Sequence, residues 1–138
     1  MSRSRPPISI SSKLPWVLVV DDEEAMCNLI INALADEKLE VVAAANAAVA
    51  LKLVAERPTE PLLALVDVMM PGMDGLTLAR KLCAQIKRGK IVIMSGHLSD
   101  VSWWPADLRE VAFIAKPFHM TALAEFLREA RLRAEEAS

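Results

Sequence analysis

Leu62-Leu63-Ala64-Leu65-Val66-Asp67-Val68-Met69-Met70-Pro71-Gly72-Met73-Asp74-Gly75 is an apolar run that delivers one carboxylate and then turns. The apolar residues Leu62 to Val66 are too few for a helix and suit a strand covered on both faces, as in a parallel sheet. Asp67 then stands at the carboxyl end of that strand, the edge where open α/β sheets bind ligands. The Pro71-Gly72 and Asp74-Gly75 pairs bring the chain round before a helix begins. A lone acid at this place can simply shape the turn. Other runs argue for more: Trp16-Val17-Leu18-Val19-Val20 ends in Asp21-Asp22, Ile91-Val92-Ile93-Met94 ends in Ser95-Gly96, and Val111-Ala112-Phe113-Ile114-Ala115 ends in Lys116-Pro117-Phe118. If these are strands of one sheet, Asp21, Asp22, Asp67, Ser95 and Lys116 share its carboxyl edge.

Between the strands the apolar period changes to that of helices. Glu23 to Asp36 places Met26, Leu29, Ile30, Ala33 and Leu34 on one side, with acids in the first turn where the helix dipole favours them. Leu39 to Ala45 reads as a short strand. Asn46 can cap a helix running to about Arg57, before Pro58 and Pro61 break the chain. A third helix over Gly75 to Lys87 is expected to bury Leu76, Ala79, Leu82, Cys83 and Ile86, with Asp74 as its cap and Gly89 ending it. An irregular segment is expected from Gly96 to Glu110. The last helix turns Met120, Leu123, Phe126, Leu127 and Ala130 inward, and its charged end, Arg131 to Ser138, is expected to fray. Strands alternating with helices through right-handed crossovers predict a doubly wound five-stranded parallel sheet with helices on both faces. The flavodoxin-like order 2-1-3-4-5 makes strands one and three neighbours and brings Asp21, Asp22 and Asp67 together.

With 138 residues there is room for one domain, and 54% hydrophobic residues suffice to fill its core. The expected division is a flexible tail over 1–14, the folded domain over 15–134 and a frayed end over 135–138. A formal charge of −2 without a basic stripe argues against direct nucleic-acid binding. Met1 to Pro15 hold no apolar run of the length that a secretory leader or a membrane span requires. Cys27 and Cys83 fall on apolar faces of the predicted helices and read as small core residues. These features predict a soluble, cytoplasmic protein without membrane insertion.

Carboxylates held close together repel one another unless a cation joins them. All-oxygen ligands in a small open site suit Mg²⁺ or Mn²⁺, and no His/Cys cluster suggests Zn²⁺; His97 and His119 read as surface or loop residues. A carboxylate beside such a cation, flanked by an ammonium and a hydroxyl, can act as a nucleophile toward phosphorus. Lys116 and the metal would neutralise charge on the equatorial oxygens, and Ser95 could donate a hydrogen bond to the phosphoryl group after transfer.

From Trp16 to Arg133 the sequence resembles the receiver domains of bacterial two-component response regulators. Val19-Val20-Asp21-Asp22-Glu23, Val66 through Gly75, Met94-Ser95-Gly96 and Lys116-Pro117-Phe118 are similar to that family's motifs in order and spacing. The resemblance implies that Asp67 accepts a phosphoryl group from a phosphohistidine on a sensor histidine kinase or a histidine phosphotransfer protein. It further implies that Asp21, Asp22, Asp67 and the Met69 backbone carbonyl serve Mg²⁺, and that the Lys116-Pro117 bond is cis. Ser95 and Phe113 would form the switch that reshapes the output surface for a downstream protein target. Met69 and His97 occupy the positions that tune phosphate lifetime in the family. Such a domain catalyses its own phosphorylation and dephosphorylation rather than turning over a separate substrate.

The departure from the family lies between Ser95 and Lys116, where a regular fourth helix is normal. Pro105 can begin a helix but not sit inside one, so a loop and one or two turns after Pro105 are expected. Trp103 and Trp104 there either pack beneath the segment or offer a patch to a partner. No effector domain follows the last helix within this chain, which reads as a stand-alone receiver or as the receiver of a hybrid kinase. Two rival functions are a phosphorylation-independent interaction module and an aspartate-nucleophile phosphatase resembling the haloacid dehalogenase superfamily. The second would need an acid two residues after the nucleophile, where Met69 stands.

Overall fold

The computed structural model describes residues 14–68, 75–96, 106–108 and 111–137. Its strands are β1 (Trp16–Val20), β2 (Glu40–Ala44), β3 (Leu63–Asp67), β4 (Lys90–Ser95) and β5 (Ala112–Ala115). Its helices are α1 (Glu24–Ala33), α2 (Ala47–Glu56), α3 (Gly75–Gln85) and α4 (Met120–Ala137). The strands form one sheet in the order β2-β1-β3-β4-β5, and each neighbouring pair is parallel. This is the doubly wound arrangement that the alternation of apolar runs predicts.

The two-residue period of the strands divides the core in two. Trp16, Leu18, Val20, Ala64, Val66, Ile91 and Ile93 face α2 and α3, packing with Ala50, Val54, Leu78 and Leu82. Val17, Val19, Leu63, Leu65, Val92, Met94 and Ile114 face α1 and α4, packing with Ile30, Leu34, Leu123 and Leu127. Every residue of β1 and β3 is buried, which is why these strands read as unbroken apolar runs. The edge strand β5 is only partly covered, and its Phe113 is 39% exposed.

Two helix faces differ from expectation. On α1 the buried stripe is Cys27 and Ile30, followed by Leu34 just past its end, whereas Leu29 is 48% exposed and Ala33 lies at the surface. A helix laid on one sheet face buries a stripe narrower than its apolar arc, so the flanking positions stay in solvent. On α3 Leu78 joins Ala79 and Leu82 in the core, while Leu76 and Cys83 are only partly buried and Ile86 is buried just beyond the helix end. Asn46 caps α2 as its type suggests, its Oδ1 accepting the Val49 amide at 2.9 Å. The helix over the last stretch continues to Ala137, through part of the charged end. In the connection from β4 to β5, a 3-10 turn over Ala106–Leu108 follows Pro105 and sets Leu108 into the core. His97, Trp103 and Trp104 lie outside the described residues, as do Met69 and Asp74.

The amino edge of the sheet is cross-linked by polar groups. Trp16 is 1% exposed, and its indole N–H donates to the Thr59 carbonyl at 2.9 Å. The Arg57 guanidinium lies 4.4 Å from the Trp16 ring centre and pairs with Glu40 at 2.6 Å. The Glu60 carboxylate accepts the backbone amides of Lys87, Arg88 and Gly89 at 3.2, 2.5 and 2.6 Å, joining the loop before β3 to the loop before β4. Glu60→Ala leaves those donors without their charged acceptor. It is expected to lower the unfolding free energy by about 1–2 kcal/mol in urea titrations, with an unchanged denaturant slope.

Candidate functional site at the carboxyl edge of the sheet

β1 and β3 are neighbours with Val20 opposite Val66, so the next residues, Asp21 and Asp67, emerge side by side. Main-chain bonds carry the ladder past the strand ends. The Asp21 amide donates to the Ala44 carbonyl at 3.1 Å, the Val68 amide to the Met94 carbonyl at 3.1 Å and the Lys116 amide to the Ser95 carbonyl at 2.8 Å. Asp21, Ser95 and Lys116 are thereby held by their own backbone, and Asp67 by the peptide that follows it.

Asp21, Asp22 and Asp67 each offer an oxygen within 4.8 Å of the others. Asp21 is 1% and Asp67 5% exposed, whereas Asp22 faces solvent. Asp21 is fixed by two donors: the Glu23 amide on Oδ1 at 2.9 Å and Lys116 Nζ on Oδ2 at 2.9 Å. The same ammonium stands 3.6 Å from Asp67 Oδ2. Burial alone would lower the Lys116 pKa. The hydrogen bond and charge of Asp21, aided by Asp67 and Glu23, outweigh burial and hold it above the ordinary lysine value. Lys116 is therefore a cation throughout the neutral range.

Lys116 pairs with two of the three clustered carboxylates, Asp21 and Asp67, so among the described residues the cluster is rich in negative charge. The nearest thiol does not compete as a donor. Cys27 is buried and donates to the Asp21 carbonyl at 3.5 Å, and burial, followed by the charge of Asp21, pushes its pKa up. The available donors are thus oxygens, and they fit a hard divalent cation. Ser95 ends β4 beside Ala115 and is 2% exposed. Phe113 lies opposite Ile93, two residues back along β5. The Lys116-Pro117 bond is cis. His119 is exposed, while Met69 and His97 are outside the described residues.

The main-chain partner Met94 C=O was not legible in the sequence, because any residue type supplies it, whereas Glu23 N–H is the local partner, two residues on, that an Asp takes in a turn. The signal for Met94 is topological: it appears once the strand order is known.

A family model of the response regulator receiver domain matches residues 17–128. The chain belongs to this family. A putative NtrX-like response regulator of Rickettsia bellii is 32% identical over 117 residues, which are 83% of this chain and 24% of that protein. The sensor kinase CckA of Brucella abortus is 35% identical over 115 residues, 82% of this chain and 12% of the kinase. The chain thus spans a quarter or less of these curated relatives. Among solved structures, a CheY-like receiver domain from Methanospirillum hungatei has a TM-score of 0.78 at 27% identity, with 90% of this chain and 99% of that one covered. The response regulator TrrA of Thermotoga maritima, solved in complex with Mg(2+)-BeF, has a TM-score of 0.71 at 26% identity, covering 85% of this chain and 99% of that one. Among the described residues, no helix of this receiver is long and apolar enough to cross a membrane.

Among the described residues, mutual repulsion of the clustered carboxylates works against the fold. In metal-free buffer, Asp67→Asn is expected to stabilise the receiver by roughly 1 kcal/mol, raising the thermal midpoint by a few degrees. Scanning calorimetry checks this. A lower midpoint would mean that the attraction of Lys116 for Asp67 exceeds the repulsion from Asp21 and Asp22.

Proposed function

We propose that this receiver takes a phosphoryl group from a phosphohistidine onto Asp67 and changes its output surface in response. The observation that carries the reading is the position of Lys116 Nζ, 2.9 Å from Asp21 and 3.6 Å from Asp67. One fixed ammonium touches the acid that stays and the acid that reacts. The family membership and the TrrA complex with Mg(2+)-BeF support the same assignment.

In the transfer, an Asp67 carboxylate oxygen bonds to phosphorus as the phosphorus–nitrogen bond to the donor imidazole breaks. The bonding pair returns to the imidazole nitrogen, which takes a proton from solvent. Lys116 is already charged and pointed at the acceptor, so it stabilises the phosphoryl oxygens without reorganising. Asp21, Asp22 and Asp67, with the Met69 carbonyl that the family likeness adds, would hold Mg²⁺ or Mn²⁺. That cation supplies further neutralisation of the charge gathering on the phosphoryl oxygens. Asp67 itself is 5% exposed, so little of its side chain meets bulk water before transfer.

Ser95, at the end of the neighbouring strand, donates its hydroxyl to the phosphoryl group once it is in place. Phe113, partly exposed on β5, then turns inward behind Ser95. This is a two-state change biased by one charged group. Met69 and His97 set how long the phosphate lasts. The donor is a sensor histidine kinase or a histidine phosphotransfer protein, the recipient of the signal is a protein, and the location is the cytoplasm. Within the chain the folded unit is the receiver over 15–134, and the phosphate makes it a signalling module rather than an enzyme acting on a separate substrate.

Intact mass after incubation with Mg²⁺ and acetyl phosphate tests the assignment. The wild-type protein is expected to gain one phosphoryl group and Asp67→Asn none, and removing the cation with EDTA is expected to stop the gain. If the wild type gains nothing from acetyl phosphate or from a phosphorylated histidine donor, the phosphoacceptor reading falls and a phosphorylation-independent interaction module replaces it.

A further inference from the structure

Two glycines of this receiver stand where no side chain fits, at opposite edges of the sheet. A Cβ on Gly75 would collide with the Val68 Cα and would lie 2.6 Å from the Asp67 carbonyl oxygen and 2.9 Å from the Val68 nitrogen, all main-chain atoms. A Cβ on Gly89 would collide with the Pro61 carbonyl oxygen and lie 2.8 Å from Ile86 Cγ2. The first obstruction is the peptide that follows the proposed phosphoacceptor. The second precedes β4, at the edge remote from it.

The Asp67-Val68 peptide and its successor are held from two directions. The Val68 amide donates to the Met94 carbonyl at 3.1 Å, and the Val68 carbonyl accepts the Gly75 amide at 3.3 Å. Gly75 is buried as the first residue of α3, which is anchored in turn by Leu78, Ala79 and Leu82 in the core. The start of α3 therefore rests directly on the backbone that aims the Asp67 side chain. On the opposite side, Asp67 Oδ2 is 3.6 Å from Lys116 Nζ, a distance that small shifts of the peptide would change.

We propose that Gly75 is a positioning residue for phosphoryl transfer. Its bare Cα lets α3 seat on the Asp67-Val68 peptide and so fixes the Asp67 carboxylate against Lys116. The proposal rests on Asp67 being the phosphoacceptor. A methyl group at this position pushes main chain against main chain, and the loss falls on the geometry of the reacting oxygen rather than on capture of the donor.

The matched pair Gly75→Ala and Gly89→Ala tests this in the full chain. Both changes meet backbone, but Gly75 touches the acceptor peptide whereas Gly89 touches Pro61. Initial phosphorylation rates are measured against acetyl phosphate concentration in Mg²⁺ and divided by the folded fraction from circular dichroism. Gly75→Ala is expected to lower the maximal rate roughly ten- to hundred-fold at a similar half-saturating concentration, because displacement of a reacting group costs rate more than binding. Gly89→Ala is expected to keep the wild-type maximal rate per folded molecule while losing stability. Equal rates for Gly75→Ala and wild type, or equal falls for both variants, overturn the proposal and leave the phosphoacceptor reading standing. A wild type that is not phosphorylated overturns both. If Gly75→Ala does not fold, amide spectra of the ¹⁵N-labelled wild type decide: the Gly75 amide shifts on phosphorylation while that of Gly89 does not. An unmoved Gly75 amide overturns the proposal.

Discussion

The parallel pairing of β1 with β3 is the constraint on which the rest depends. Val20 opposite Val66 dictates that Asp21 and Asp67 leave the sheet together, and Asp22 follows at once. No sequence-local preference would place these acids within 4.8 Å of one another. The hydrophobic burial of two complete strands holds them there, at about 25 cal/mol for each Å² of apolar surface removed from water. The core thereby sustains an electrostatic arrangement that the acids themselves oppose.

Lys116 relieves part of that opposition from the far end of the chain. It reaches the acids because β5 lies next to β4 and the Lys116 amide is tied to the Ser95 carbonyl at 2.8 Å. Its side chain then divides between Asp21 and Asp67. The charge that Lys116 does not offset is what a divalent cation on the same oxygens would neutralise.

Much of this was legible in the residues because the buried strands are unbroken apolar runs, each punctuated by a polar residue at its end. Trp16 to Val20 before Asp21 and Leu62 to Val66 before Asp67 carry both the strand and the site in one reading. The alternation with helical periods then limits the strand order to few solutions. Helix faces were less legible. Leu29 and Leu34 have the same chemistry, and only the width of the contact with the sheet decides that one is exposed and the other buried. Leu78 was missed for the converse reason, since α3 buries a position outside the expected stripe. The grip of Glu60 on the Lys87, Arg88 and Gly89 amides was not legible at all, because its acceptors and donors come together only when two loops meet. Gly75 and Gly89 look alike as letters, and only their neighbours separate one beside the Asp67-Val68 peptide from one beside Pro61.

The enclosure of Trp16 has a spectroscopic consequence. The chain holds three tryptophans, and Trp16 is dry, hydrogen-bonded through its indole nitrogen and covered on one face by Arg57. It begins the strand that ends beside the acids, so about 15 Å of rigid β-structure separates it from them at the usual rise per residue. Burial of this kind is expected to shift its emission to the blue. A dry, hydrogen-bonded indole at the amino edge thus gives the fold a built-in optical reference that local events at the opposite edge are expected to leave unchanged.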